Sequence, residues 1–210
     1  GSIIYINRRE ADIIQRVGSG DIVSDWMTFI EASGFPENKI ENIFPQEGSR
    51  PYGPKNAFPF IYVEDGDSLS MGDYHFKCVE TPGHTNGHMC LYEPQSKVFM
   101  AGDHLLSEIT PGIHGFIHKN PLKDYLSSLD KVAALDVRLV LPGHRSVFAN
   151  CKERIRELKA HHEERTCEVI SILQEIPKDA YDVASQMTWD VHYDSWREFP
   201  IQQKFFATGE

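Results

Sequence analysis

The sequence predicts an α/β (α+β) fold, and three observations carry that prediction. Short strand-like tracts separated by tight turns fill residues 60–101, helix and strand patterns alternate over 122–141, and a long amphipathic helical stripe follows. Strands that meander first and then alternate with helices build layers rather than a helical bundle.

Taken in order, Ile3-Ile4-Tyr5-Ile6 is β-branched and aromatic and predicts a strand. Residues 8–17 predict a short helix closed by Gly18-Ser19-Gly20. A second helix is expected over 24–33, with Trp26, Phe29 and Ile30 on one face and Gly34 as its stop. Proline and glycine crowd residues 44–59, which predicts a long irregular loop. Strands follow at 60–63, 74–80, 89–92 and 98–101, and a turn at Asp65-Gly66-Asp67 sets up antiparallel pairing. A helix over 122–134, with Pro121 near its start, leads to a strand at 138–141.

The last third predicts one long helix over 150–174. Cys151, Ile155, Leu158, Val169 and Leu173 form its apolar stripe, and His162 falls on the same stripe as a core residue. Pro177 ends it, and two short helices, over 179–187 and 195–206, form a satellite with Trp189, Tyr193 and Trp196 at its core. The chain therefore divides into 1–149, a connecting helix 150–174 and a partial helical satellite 175–210. It opens inside a strand pattern and stops on the apolar helical tract at Phe205-Phe206, so the 210 residues read as a fragment.

Composition narrows the function. Thirty-one acidic against 21 basic residues give a net charge of −10, which repels phosphate backbones and makes nucleic acid an unfavoured partner. No stretch reaches the ~20 apolar residues a membrane span needs, so no membrane partner is expected. Four cysteines without a C-x-x-C pair read as buried thiols in a reducing, cytoplasmic setting.

The informative residues stand where strands end. Thr81-Pro82-Gly83-His84-Thr85-Asn86-Gly87-His88, Gly102-Asp103-His104 and Leu141-Pro142-Gly143-His144 each place a metal-competent side chain on a glycine-bearing turn after its own strand. Imidazole and carboxylate without thiolate suit Zn²⁺, Fe²⁺ or Mn²⁺.

These three motifs, with Leu105-Leu106 after the second, resemble the later motifs of metallo-β-lactamase superfamily hydrolases of the glyoxalase II-like group, over about residues 3–175. The resemblance implies a four-layer αββα sandwich, here incomplete and leading into a winged-helix-like satellite, with two divalent metals, zinc first and iron or manganese next, at the sheet edge. It implies that His84 serves the first metal, that Asp103 bridges both and is the catalytic carboxylate, and that His144 serves the second. A metal-bound hydroxide would then attack a small thioester, ester or lactone. His88 would support the ligands from behind, and His114 and His118 would contact substrate. Some members carry a His-His-x-x-Arg run like His161-His162 and Arg165, without an assigned chemistry.

The family's earlier His-x-His-x-Asp-His motif, with four of seven ligands, is absent from these residues. No two of the ten histidines are separated by a single residue. Three ligands do not build two sites, so the 210-residue chain alone is expected to be metal-poor and inactive, and an exposed sheet edge is expected to favour self-association. Two further functions fit: an RNA-processing nuclease of the same superfamily, opposed by the acidic charge, and a non-catalytic binding or assembly domain.

Overall fold

The computed structural model describes residues 3–36, 43, 59–116, 118–174, 176–190 and 193–210. Most of the proline-rich loop expected at 44–59 lies outside the described residues.

Strand β1 (Ile4–Ile6) runs into helix α1 (Arg8–Ser19), which Asn7 caps by accepting the Arg9 N–H at 2.9 Å. Gly20, at φ 87°, closes α1 in the left-handed conformation that glycine adopts without strain. Helix α2 (Ile22–Ala32) follows, and β2 (Phe60–Tyr62) returns to pair in parallel with β1.

The main sheet has five strands in the order β3-β4-β5-β6-β7: β3 (Ser68–Met71), β4 (Tyr74–Glu80), β5 (Met89–Glu93), β6 (Val98–Gly102) and β7 (Leu139–Pro142). The first four pair antiparallel, β3 to β4 and β5 to β6 through short turns and β4 to β5 through the loop 81–88. Strand β7 pairs in parallel with β6 because helix α3 (Pro121–Ala133) carries the chain across. Helix α3 and helix α4 (Cys151–Leu173) pack on the sheet, and Phe99, Val140, Tyr125, Leu129, Val132, Ile155 and Leu158 form a core at 0–2% exposure.

The tail forms helices α5 (Ala180–Gln186) and α6 (Ile201–Gly209). It is tied to the front of the chain. Phe205 and Ile201 pack with Ile30, Phe29 and Phe35, the Phe116 ring stacks on Phe205 at 4.3 Å, and Tyr181 N–H donates to Ser33 C=O at 2.9 Å.

Four expectations need correction. Strand β3 has no counterpart among the expected strands, because Ser-Leu-Ser-Met shows only two apolar residues and pairs through its hairpin with β4 rather than through its own pattern. The apolar stripe of α4 stops short: Cys151, Ile155, Leu158 and His162 are buried, but Leu173 is 40% exposed. Cys167 is exposed, unlike the other three thiols. The last helix begins at Ile201, since 195–199 forms turns in which Trp196 and Tyr193 pack on Phe199. Among the described residues, no helix is long and apolar enough to cross a membrane.

Candidate metal centre

All three glycine-bearing turns open at one end of the sheet. The β4–β5 loop carries His84 and His88, the end of β6 carries Asp103 and His104, and the end of β7 carries His144. Adjacency in the sheet therefore brings together residues up to 60 positions apart in sequence. Asp103 sits in the middle. Its Oδ2 is 3.7 Å from His84 Nε2, and its Oδ1 is 3.6 Å from His144 Nε2, so each carboxylate oxygen faces a different imidazole.

The glycines are explained by this crowding. A Cβ on Gly143 would lie 2.8 Å from Asp103 Oδ1. Gly102 takes φ 51°, and a Cβ there would lie 2.8 Å from His88 Nε2, so both backbone conformation and space demand glycine just before Asp103.

Hydrogen bonds fix the two inner rings. Gly112 C=O lies 2.7 Å from His84 Nδ1 and can only accept, so His84 donates from Nδ1 and its Nε2 is the nitrogen that faces Asp103. The Asp103 backbone N–H donates to His88 Nε2 at 3.2 Å, which places the His88 proton on Nδ1, donating to Thr81 Oγ1 at 2.8 Å. Burial above all, helped by His84, pushes His88 down to about 4 and so keeps it neutral for that acceptor role. His88 thus props up the Asp103 backbone rather than facing the carboxylate.

His104 is fully buried between His88 and Tyr125, with ring centroids at 6.2 and 5.3 Å, and neither ring nitrogen finds a hydrogen-bond partner. Tyr125 Oη donates to His104 C=O at 3.0 Å. Of the two residues expected to touch substrate, His114 stacks on Phe116 at 5.1 Å with Nδ1 unpartnered, beside the Gly112 that holds His84. His118 Nε2 pairs with Asp124 Oδ2 at 2.7 Å in the first turn of α3, and is not brought to Asp103.

Three supports had no signal in the sequence. Glu10 accepts from Thr85 Oγ1 at 2.7 Å and from the Gly87 N–H at 3.3 Å, across 75 and 77 residues, and so clamps the His84 loop to α1. The Gly112 carbonyl and Tyr125 act through contacts that only the tertiary fold makes.

The superfamily profile for metallo-beta-lactamases matches residues 14–144, well over half of the sequence. The chain belongs to the metallo-beta-lactamase superfamily. It is 31% identical over 132 residues to the Beta-lactamase-like protein 2 homolog of Caenorhabditis elegans, covering 62% of this chain and 43% of that one. It is 37% identical over 113 residues to the hydroxyacylglutathione hydrolase of Rhizobium etli, covering 51% of this chain and 43% of that one. A metallo-beta-lactamase family protein from Thermus thermophilus has the same fold with a TM-score of 0.77 at 27% identity, over 100% of this chain and 64% of that one. The chain therefore spans less than half the length of the first two relatives.

Superfamily membership implies divalent metal, and the donors around Asp103 fit it in part. Two donors on one tetrahedral ion with bonds of ~2.0–2.1 Å sit roughly 3.3 Å apart, close to both His–Asp separations. Asp103 Oδ1 is shielded from solvent and accepts no hydrogen bond, as an oxygen awaiting a cation would. Yet among the described residues no three His, Cys, Asp or Glu side chains gather around one point. The donors divide as one imidazole and one carboxylate oxygen on each side.

Proposed function

We propose that this chain carries the Asp103-centred ligands of a metal-dependent hydrolase acting on a small thioester, ester or lactone. The observation that carries the reading is the division of Asp103, with one oxygen facing His84 and the other His144. A carboxylate so placed can be shared between two cations while His84 and His144 each serve one. Divalent ions held there supply Lewis-acid polarisation of the scissile carbonyl and bring the pKa of water toward neutrality.

The residues of this chain do the positioning. His84 is aimed by Gly112 C=O and its loop is clamped by Glu10. Asp103 is set by His88, which is set in turn by Thr81, whose hydroxyl also meets Cys90 Sγ at 3.1 Å. Such outer contacts hold ligands in the orientation a metal requires. Among the described residues two donors per position fall one short of the three protein ligands a catalytic zinc normally takes, so weak metal binding and poor turnover are expected of the 210-residue chain by itself. The hydrolase among its relatives supports the reaction class. The exposed Ile3, Tyr5, Ile61 and Tyr62 over the β1–β2 sheet support self-association.

The test is hydrolysis of S-lactoylglutathione, p-nitrophenyl acetate and a lactone by the full-length gene product loaded with Zn²⁺, Fe²⁺ or Mn²⁺. Turnover of at least one is expected, with Asp103→Asn lowering it at least 100-fold, about 2.7 kcal/mol in barrier. Cleavage of RNA without ester hydrolysis favours the nuclease, and a metal-loaded protein that cleaves neither is a binding domain.

A further inference from the structure

A cavity of about 230 Å³ lies between α4, the loop after β6 and the segment after α5. Ile113, Leu122, Val169, Met187 and Trp189 give it apolar walls, and His162 adds a polar one. It shares Arg165, Trp189 and Glu210 with a wider groove of about 740 Å³ that extends to Gly112, the residue whose carbonyl aims His84. The cavity and the groove thus adjoin each other, and the groove ends at the residue that aims His84, while His84, Asp103 and His144 themselves do not line it. From its inner side the cavity is separated from Asp103 by the Tyr125 ring, which touches His162 at 5.4 Å and His104 at 5.3 Å between centroids.

His162 is the unusual wall. It is 5% exposed, yet its Nε2 has no hydrogen-bond partner. A buried polar atom left unsatisfied is destabilising by ~1–3 kcal/mol, so a ring serving only as core would be better replaced by an apolar one. Beside an apolar cavity, the same nitrogen can meet a polar atom on a ligand.

The groove selects by charge. Arg165 is already engaged: it pairs with Glu168 at 2.8 Å, donates to Thr188 C=O at 2.6 Å and lies 4.4 Å above the Trp189 ring. Glu108, Glu164 and Asp190 then line the groove with His161, and the chain as a whole carries −10. An anionic carrier such as a coenzyme A or glutathione conjugate would lie against like charge.

Resting on the hydrolase reading and narrowing it, we propose that the cavity takes the apolar acyl chain of an uncharged ester or lactone, with the scissile carbonyl toward Gly112. An apolar cavity of ~150 Å³ holds a benzene, so this one accommodates a chain of roughly six to nine carbons.

The test is binding of methyl octanoate to the metal-free 210-residue protein, followed by Trp fluorescence and by intermolecular NOEs to the Val169 and Met187 methyls. Saturable binding with both NOEs is expected. Octanoyl-CoA should bind at least tenfold more weakly, and Val169→Trp, which fills the cavity, should weaken methyl octanoate at least tenfold. Absent saturation, NOEs elsewhere, equal binding of the CoA ester or an unaffected Val169→Trp each overturn the proposal. The wild-type NOEs decide the matter even if Val169→Trp fails to fold. Because no metal is present, failure here leaves the Asp103 centre standing, and failure of metal binding at Asp103 leaves this result untouched.

Discussion

Acidification from pH 7 to 5 should remove most of this protein's stability. Burial, more than any neighbouring charge, pushes His88, His114 and His162 down to about 4 and His104 to about 3, against 6.5 for a free imidazole. A histidine whose folded value is depressed is protonated first in the unfolded chain. The stability tied to its neutral form is therefore complete above pH 6.5 and is lost as the pH falls toward the folded value. Each of the four then withdraws about 2 kcal/mol by pH 5. Together they withdraw an amount comparable to the ~5–15 kcal/mol that holds a typical domain folded. Urea midpoints measured between pH 8 and 4.5 should start to fall near 6.5 and fall steeply, and His162→Phe should flatten the curve by removing one of the four protons. Midpoints that stay level from pH 7 to 5 would show that these rings are solvated.

The second large effect is expected at Tyr125. Its side chain is fully buried, its ring meets both His104 and His162, its hydroxyl serves His104 C=O, and its Cα and Cβ leave no room for a side chain at Gly83 in the His84 loop. It therefore braces two of the three ligand-bearing turns from inside the core. Tyr125→Ala should destabilise by about 3–5 kcal/mol, in the range of large-to-small core changes, and should increase amide exchange across 81–88 and 102–106. Tyr125→Phe keeps the ring and strands one carbonyl, so about 1–3 kcal/mol is expected, with exchange raised only near His104. Equal losses in the two variants would mean that the hydroxyl, not the packing, is the brace.

How much of this is legible in the sequence follows from the range of the interactions. Strand β4 occupies the residues its alternation marks, Tyr74–Glu80, because such signals are local, and α1 runs two residues past its expected end, through Gly18 to Ser19, before Gly20 closes it. The far end of α4 departs from expectation because an apolar stripe records what a helix could cover, and beyond His162 none of its residues is buried, with Leu173 40% exposed. In the site, the turns bearing His84, Asp103 and His144 announce themselves by glycine next to a metal-competent side chain. What holds them does not. Glu10, Gly112 and Tyr125 act across 21 to 77 residues through contacts with no local pattern. His162 is legible as a core position, but its unsatisfied nitrogen and the cavity beside it exist only once α4 meets the segment after α5.

We propose that Asp103 presents one oxygen with His84 and the other with His144, as shares of two metal positions that the described residues do not complete. A Zn²⁺ titration of the ¹⁵N-histidine-labelled 210-residue protein tests this. The Nε2 resonances of His84 and His144 should both move, with weak saturation, and both responses should vanish in Asp103→Asn. Two tightly bound equivalents, a response confined to one histidine, or shifts that survive Asp103→Asn would contradict it.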